Sequence, residues 1–176
     1  MNQLDRYNKP SVVMFKNMKF FIMDSPSKSN IDMYVKDLTR GRATACVRCC
    51  EPHYEAASME SAGIKMHEME FQDGDPPSED IIKRWLAVVD ETFGPATAAD
   101  KYEQQDAAAA IAVHCVAGLG RAPVLVAIAL IEAGKNPFDA IQFIREKRRG
   151  AINDKQIRFL EDYVPRRKNG ICCTIV

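Results

Sequence analysis

At 176 residues, with 47% hydrophobic and 27% charged positions, the chain has the size and composition of one globular domain able to bury a full core. Its 24 Lys and Arg balance 24 Asp and Glu, and no apolar run reaches the length needed to cross a bilayer, which excludes a membrane-spanning helix. The opening stretch MNQLDRYNKP lacks the apolar centre of a signal peptide, so the expected setting is the cytosol and the six cysteines are expected as reduced thiols.

Those cysteines fit no zinc pattern. Cys46, Cys49 and Cys50 make one C-x-x-C, but no second pair follows, and neither a metal nor a cofactor is expected. The zero net charge is unevenly spread: from Ile141 to Val176 there are nine Lys/Arg against four Asp/Glu, which predicts a basic face or tail. No nucleic-acid-binding motif accompanies it, so the expected partner is an anionic membrane surface and not a nucleic acid.

In chain order, SVVMF (11–15) and KFFIM (19–23) read as short strands joined by a turn at Lys16-Asn17. Ser29 or Asn30 caps a helix running to about Thr39. ATACVRCC (43–50) and GIKMHEMEF (63–71) are the next strands. Pro76-Pro77-Ser78 breaks the chain and caps a helix through Phe93, with Ile81, Ile82, Trp85, Leu86 and Val89 on one face. The stretch from Gly94 to Ala108 is small and polar and reads as a surface loop. AIAVH (110–114) is a buried central strand. Three helices follow, at about Arg121–Ala133, Pro137–Arg149 and Asp154–Tyr163, the second capped by Asn136 with Pro137 at its first position. Strands alternating with helices predict an α/β fold: a single compact domain with a mostly parallel sheet flanked by helices on both sides.

The chemistry concentrates in HCVAGLGR, between that central strand and the following helix. Ligands of open α/β sheets bind at this edge. Gly118 and Gly120 allow the backbone of Val116, Ala117, Gly118, Leu119 and Gly120 to curl into an anion-binding nest. The helix N-terminus adds partial positive charge, and Arg121 adds a planar fork matching two phosphate oxygens. A thiol at Cys115, held in that field, is expected to work as a thiolate that attacks phosphorus. A bare Cys-x5-Arg spacing is weak. His114 before the cysteine and Gly118 at the third following position make it specific.

H-C-x2-G-x2-R resembles the signature of protein tyrosine and dual-specificity phosphatases. The longer stretches HCVAGLGRAPVLVAIALIEAG and AIQFIREKRRGAIN, with the terminal CCTIV, resemble the prenylated phosphatases of regenerating liver, the PRL or type IVA family. The likeness runs from about Pro10 to the last residue and implies a phosphatase domain over 10–164 and a basic prenylated tail over 165–176. It also implies partners among CBS-pair-domain magnesium transporters of the CNNM type, while a shallow phosphate cup would accept phosphotyrosine or phosphoserine/threonine of a phosphoprotein, or a phosphoinositide. A homo-oligomer is compatible with it.

The leaving oxygen needs a proton donor on a mobile loop. Asp73, followed by Gly74, matches the second aspartate of the family's W-P-F-D-D-G motif, with Asp75 as the rival. The motif is altered here: Met69 and Glu70 replace Trp-Pro and Gln72 replaces the first aspartate. His114 is expected either to orient the cup from behind or to be a satisfied core histidine, and Gln156 is expected on a helix surface, with positioning of water as its alternative. After the arginine most such phosphatases carry Ser or Thr; here Ala122 offers no hydroxyl to the sulfur, which predicts slow breakdown of a phosphocysteine and keeps a binding-module role in view. Cys50 matches the position of a family cysteine able to bridge to the nucleophile, and Cys46 and Cys49 are assigned to packing.

Cys173-Thr174-Ile175-Val176 fits C-a-a-X, with Arg166, Arg167 and Lys168 upstream as the second membrane signal. The expected location is the cytoplasmic face of membranes with a soluble pool. Val176 leaves farnesyl and geranylgeranyl both open, and Cys172 is a candidate for palmitate.

Overall fold

The computed structural model describes residues 6–94 and 108–166. The expected surface loop (all but its ends) and the C-a-a-X tail with Cys172 and Cys173 lie outside the described residues.

Five strands form one sheet in the order β1-β2-β5-β3-β4. Strand β1 (Ser11–Phe15) pairs antiparallel with β2 (Met18–Met23) across the Lys16-Asn17 turn, where Lys16 takes a positive φ of 52°. The remaining pairs are parallel: β2 with β5 (Ala110–His114), β5 with β3 (Ala43–Arg48), and β3 with β4 (Lys65–Glu68). The mostly parallel α/β sheet inferred from alternation is therefore present.

Helices cover both faces. Helix α1 (Ile31–Arg40) and the short α2 (Ala57–Glu60) lie on one side, where Tyr34, Leu38, Met59 and Ile64 pack on Phe21, Met23 and Cys46. On the other side are α3 (Glu79–Phe93), α4 (Arg121–Glu132), α5 (Pro137–Lys147) and α6 (Asp154–Glu161). Every residue of α4 is buried, as its apolar run from Ala122 to Ile131 requires, and this helix is the axis of the larger core around Trp85, Leu125 and Ile128. No helix among the described residues is long and apolar enough to cross a membrane.

Side-chain caps mark the starts of three of the six helices among the described residues. Ser78 accepts from Ile81 N at the start of α3, and Asn136 accepts from Phe138 N beside Pro137 at the start of α5. Asn30 occupies the N-cap of α1 without capping it, because its Oδ1 accepts instead from Ser27 N at 2.8 Å. Three expectations need correction. The strand expected over 43–50 stops at Arg48, so Cys49 and Cys50 sit beyond the carboxyl end of β3. The strand expected over 63–71 is confined to four residues, since Met69 N bonds back to Arg48 O and the chain then leaves the sheet edge. Helix α2 was not expected at all; four residues carry too little periodicity to register.

Candidate active site

Strand β5 lies at the centre of the sheet, and its carboxyl end delivers His114 and then Cys115, which is 2% exposed. The chain then turns through residues 116–120 into α4. Four consecutive carbonyls of that turn point away from the helix mouth and each accepts a hydrogen bond. Val116 O accepts from Ser25 N (2.9 Å) and Leu119 O from Ile152 N (2.7 Å). Ala117 O and Gly118 O accept from the Arg148 side chain (3.0 and 2.6 Å). In a trans peptide the N–H points opposite to the C=O. The amides of residues 117–120 therefore face the other side, the cavity of about 280 Å³ lined by Cys115, Ala117, Gly120 and Asp73. Gly118 is obligatory here: its φ is +65°, and a Cβ would collide with Met23 O and with Arg148.

Arg121 opens α4 and is 6% exposed. Its Nη1 donates to Cys49 O (2.9 Å) and to Phe71 O (3.1 Å), so one guanidinium spans the end of β3 and the segment after β4. Its Nε lies 3.1 Å from Asp73 Oδ1, an ion contact that lacks the alignment of a hydrogen bond. Asp73 is exposed and is followed by Gly74 at φ +77°. The rival Asp75 is turned outward onto Lys155 Nζ at 2.7 Å and lines neither cavity of the site.

Gln156 overturns the helix-surface expectation. It is fully buried, closes the capping box of α6 with Asn153, donates from Nε2 to Asp75 O, and would lie 3.4 Å from a Cβ placed at Gly120. It tethers the acid segment to α6, beside the loop.

His114 is fully buried, with Nε2 2.8 Å from the Tyr54 hydroxyl. Burial pushes its pKa down to about 3; the Cys115 backbone acts in the opposite sense, though no partner of Nδ1 has good hydrogen-bond geometry. The ring is neutral. Tyr54 in turn packs under Arg48, which donates to Tyr54 O and pairs bidentately with Glu68. His114 is a buried core histidine behind the cup with one of its two ring nitrogens bonded, so it is not the fully satisfied histidine of the second reading.

All four described cysteines are free and buried. Burial pushes the Cys50 thiol up to about 11, with Arg121 opposing, and pushes Cys49 well above the ordinary thiol value. Cys50 lines an adjoining cavity of about 590 Å³ together with Glu51, His53, Glu70 and Arg121. Ala122 is fully buried and brings no hydroxyl to the site. The structure thus brings Cys115, Arg121, Asp73, the 116–120 turn and Cys50 to one sheet edge. Sequence reasoning missed Arg148, Tyr54 and Ile152. Arg148 was counted in a basic face, and nothing local distinguishes it from its neighbours in EKRRG.

A buried cysteine at the end of a central parallel strand, an amide-lined turn and an arginine at the helix start define a cysteine-dependent phosphatase fold. The family model for protein-tyrosine phosphatase matches residues 66–164. The PRL-1 phosphatase of Drosophila melanogaster is 44% identical over 174 residues, covering 97% of this chain and 93% of that one. Human protein tyrosine phosphatase type IVA 3 is 44% identical over 93% of this chain and 90% of its own, and the probable type IVA A enzyme of Dictyostelium discoideum is 40% identical over 92% of each. Among solved structures, a putative protein tyrosine phosphatase from Leishmania major aligns with a TM-score of 0.74 and 36% identity over 88% of this chain and 98% of that one. The chain belongs to the protein tyrosine phosphatases of type IVA, the PRL family.

Proposed function

We propose that the protein is a slow cysteine-dependent protein phosphatase of phosphotyrosine or dual specificity, held at the cytoplasmic face of membranes by a prenyl group on Cys173 and the basic residues before it. One observation carries the reading: four outward carbonyls turn four amides toward a cavity that Cys115 lines, with Arg121 on the wall of the adjoining cavity. A phosphate dianion is the ligand that such a donor array suits.

The residues support a two-step displacement. The Cys115 sulfur attacks phosphorus and the S–P bond forms as the bond to the leaving oxygen breaks; Asp73 gives that oxygen its proton. The loop amides and Arg121 hold the three equatorial oxygens throughout. Water then attacks phosphorus, Asp73 takes its proton, and the S–P bond breaks to return the thiolate. Ala122 offers no hydrogen bond to that returning charge, which makes the second step the slow one. Glu51 and Glu70 in the adjoining cavity oppose a polyanionic headgroup and favour a phosphopeptide over a phosphoinositide.

A second reading rests on Asp73. Its carboxylate already lies 3.1 Å from Arg121, so the cup accommodates a carboxylate as well as a phosphate. A partner's acidic side chain in that place would make the protein a binding module, with CNNM-type magnesium transporters as the partners the family likeness suggests. Turnover of phosphopeptides by the full chain and by Cys115→Ser separates the two. The phosphatase reading predicts that the serine protein loses hydrolysis and keeps oxyanion binding. Capture of a transporter domain by a chain with no turnover at all would favour the binding module.

A further inference from the structure

We propose that Arg148 is a positioning residue of the active site, which holds the phosphate loop in its amide-inward form by gripping two consecutive loop carbonyls. The proposal rests on the phosphatase reading of that loop.

Arg148 follows α5, and its half-buried side chain crosses to the back of the loop. Nε donates to Gly118 O at 2.6 Å and Nη2 to Ala117 O at 3.0 Å. Nη1 reaches on to Ile22 O at 3.3 Å and Ser11 Oγ at 3.4 Å, tying the loop to the β1–β2 hairpin. The outer two carbonyls, Val116 O and Leu119 O, bond to backbone amides that the fold supplies in any case. Among the described residues the middle two have only this guanidinium. They belong to the peptides before and after Gly118, the one residue of the turn at positive φ. A glycine there is the residue most able to let its flanking peptides rotate, and a rotated peptide would aim a carbonyl at the phosphate in place of an N–H. A fork with two parallel donors fixes both planes at once, which a single ammonium cannot do. Burial pushes the guanidinium down from its ordinary value, with Asp24 and Cys115 acting the other way, and the group stays cationic behind the loop.

Arg145, one helical turn earlier, acts one step removed. It donates from Nε to Ala151 O and from Nη2 to Ile152 O, both at 2.9 Å. Ile152 has a φ of 66°, an uncommon conformation for a β-branched residue, and its N–H is the donor to Leu119 O. Arg145 in the last turn of α5 and Arg148 just after it thus support three of the four loop carbonyls.

The test uses the full chain with tungstate as the oxyanion and an aryl phosphate as substrate. Arg148→Lys keeps the charge and loses the fork. Its tungstate dissociation constant should rise about ten- to a hundredfold, the range for two charge-assisted hydrogen bonds partly replaced, and kcat/KM should fall with it. Its melting temperature should stay near that of the parent, and millimolar guanidinium should restore part of the activity of Arg148→Ala. Tungstate affinity in Arg148→Lys within twofold of the parent overturns the proposal. So does an affinity loss matched by lost thermal stability in both variants and untouched by guanidinium, which marks a merely structural role. A parent chain that neither binds tungstate nor hydrolyses the ester overturns the phosphatase reading itself, and the proposal with it.

Discussion

Asp73 Oδ1 lies 3.1 Å from Nε of Arg121, so the proposed acid and the proposed phosphate-binding arginine are in direct contact. In the proposed reaction phosphate and Asp73 would compete for one guanidinium. Asp73→Asn removes the competing charge and also the proton donor. Tungstate should bind at least as tightly as to the parent, while hydrolysis of a phosphopeptide with a poor leaving group should fall about a hundredfold or more. An aryl phosphate with a good leaving group should lose much less, because it departs without a proton. Steady-state kinetics on the two substrates check this; an equal loss on both would remove Asp73 from the acid role.

Ala122→Ser should speed turnover. The buried methyl stands at the start of α4, where a hydroxyl could donate to the sulfur as charge returns to it. A hydrogen bond to a charged group contributes roughly 1.5–3 kcal/mol, or about ten- to a hundredfold in rate if fully expressed in the transition state. Single-turnover kinetics should place the gain in phosphocysteine breakdown. Phosphorylation of Cys115 as the slow step in the parent would remove the basis for the prediction.

Mild peroxide should inactivate the protein reversibly. Peroxide should oxidise the Cys115 sulfur to a sulfenic acid, which condenses with the Cys50 thiol and releases water. Burial pushes the Cys50 thiol up to about 11, which makes it a poor first target for peroxide and leaves it the resolving thiol that attacks the sulfenic sulfur. Peptide mapping should find Cys50 linked to Cys115. Cys50→Ser should divert the product to a stable sulfenic acid or to Cys49, which borders the same site through its carbonyl on Arg121. Unchanged oxidation products in Cys50→Ser would exclude the pairing.

Stability should fall with acid well before the carboxylates titrate. His114 has a folded pKa of about 3 against an ordinary value of 6.5. Below pH 6.5 the unfolded chain takes up a proton that the folded one refuses, so stability is lost as pH falls from 6.5 toward 3 and is flat above that window. By pH 5 this amounts to about 2 kcal/mol. Denaturant melts of the parent and of His114→Gln check it: the variant should lose less between pH 7 and pH 5.

The legible part of this chain was local. The strand of residues 110–114, the two glycines and Arg121 sit within a dozen positions, and each constrains the next through backbone geometry. Strand ends were less legible, because β3 and β4 stop where Met69 N meets Arg48 O, a contact between residues 21 apart in sequence. The supports of the site were invisible for the same reason. Arg148 lies 30 positions from the carbonyls it holds, and Gln156 reads as a surface residue until α6 is seen to carry it under the loop.

In the proposed reaction Cys115 takes the phosphoryl group. Intact-protein mass spectrometry after brief mixing with an aryl phosphate and acid quench should find one phosphoryl adduct, mapped to Cys115, absent from Cys115→Ser and diminished in Ala122→Ser. Steady hydrolysis by the parent with no such adduct at any mixing time, in the parent or in Asp73→Asn, would contradict the account.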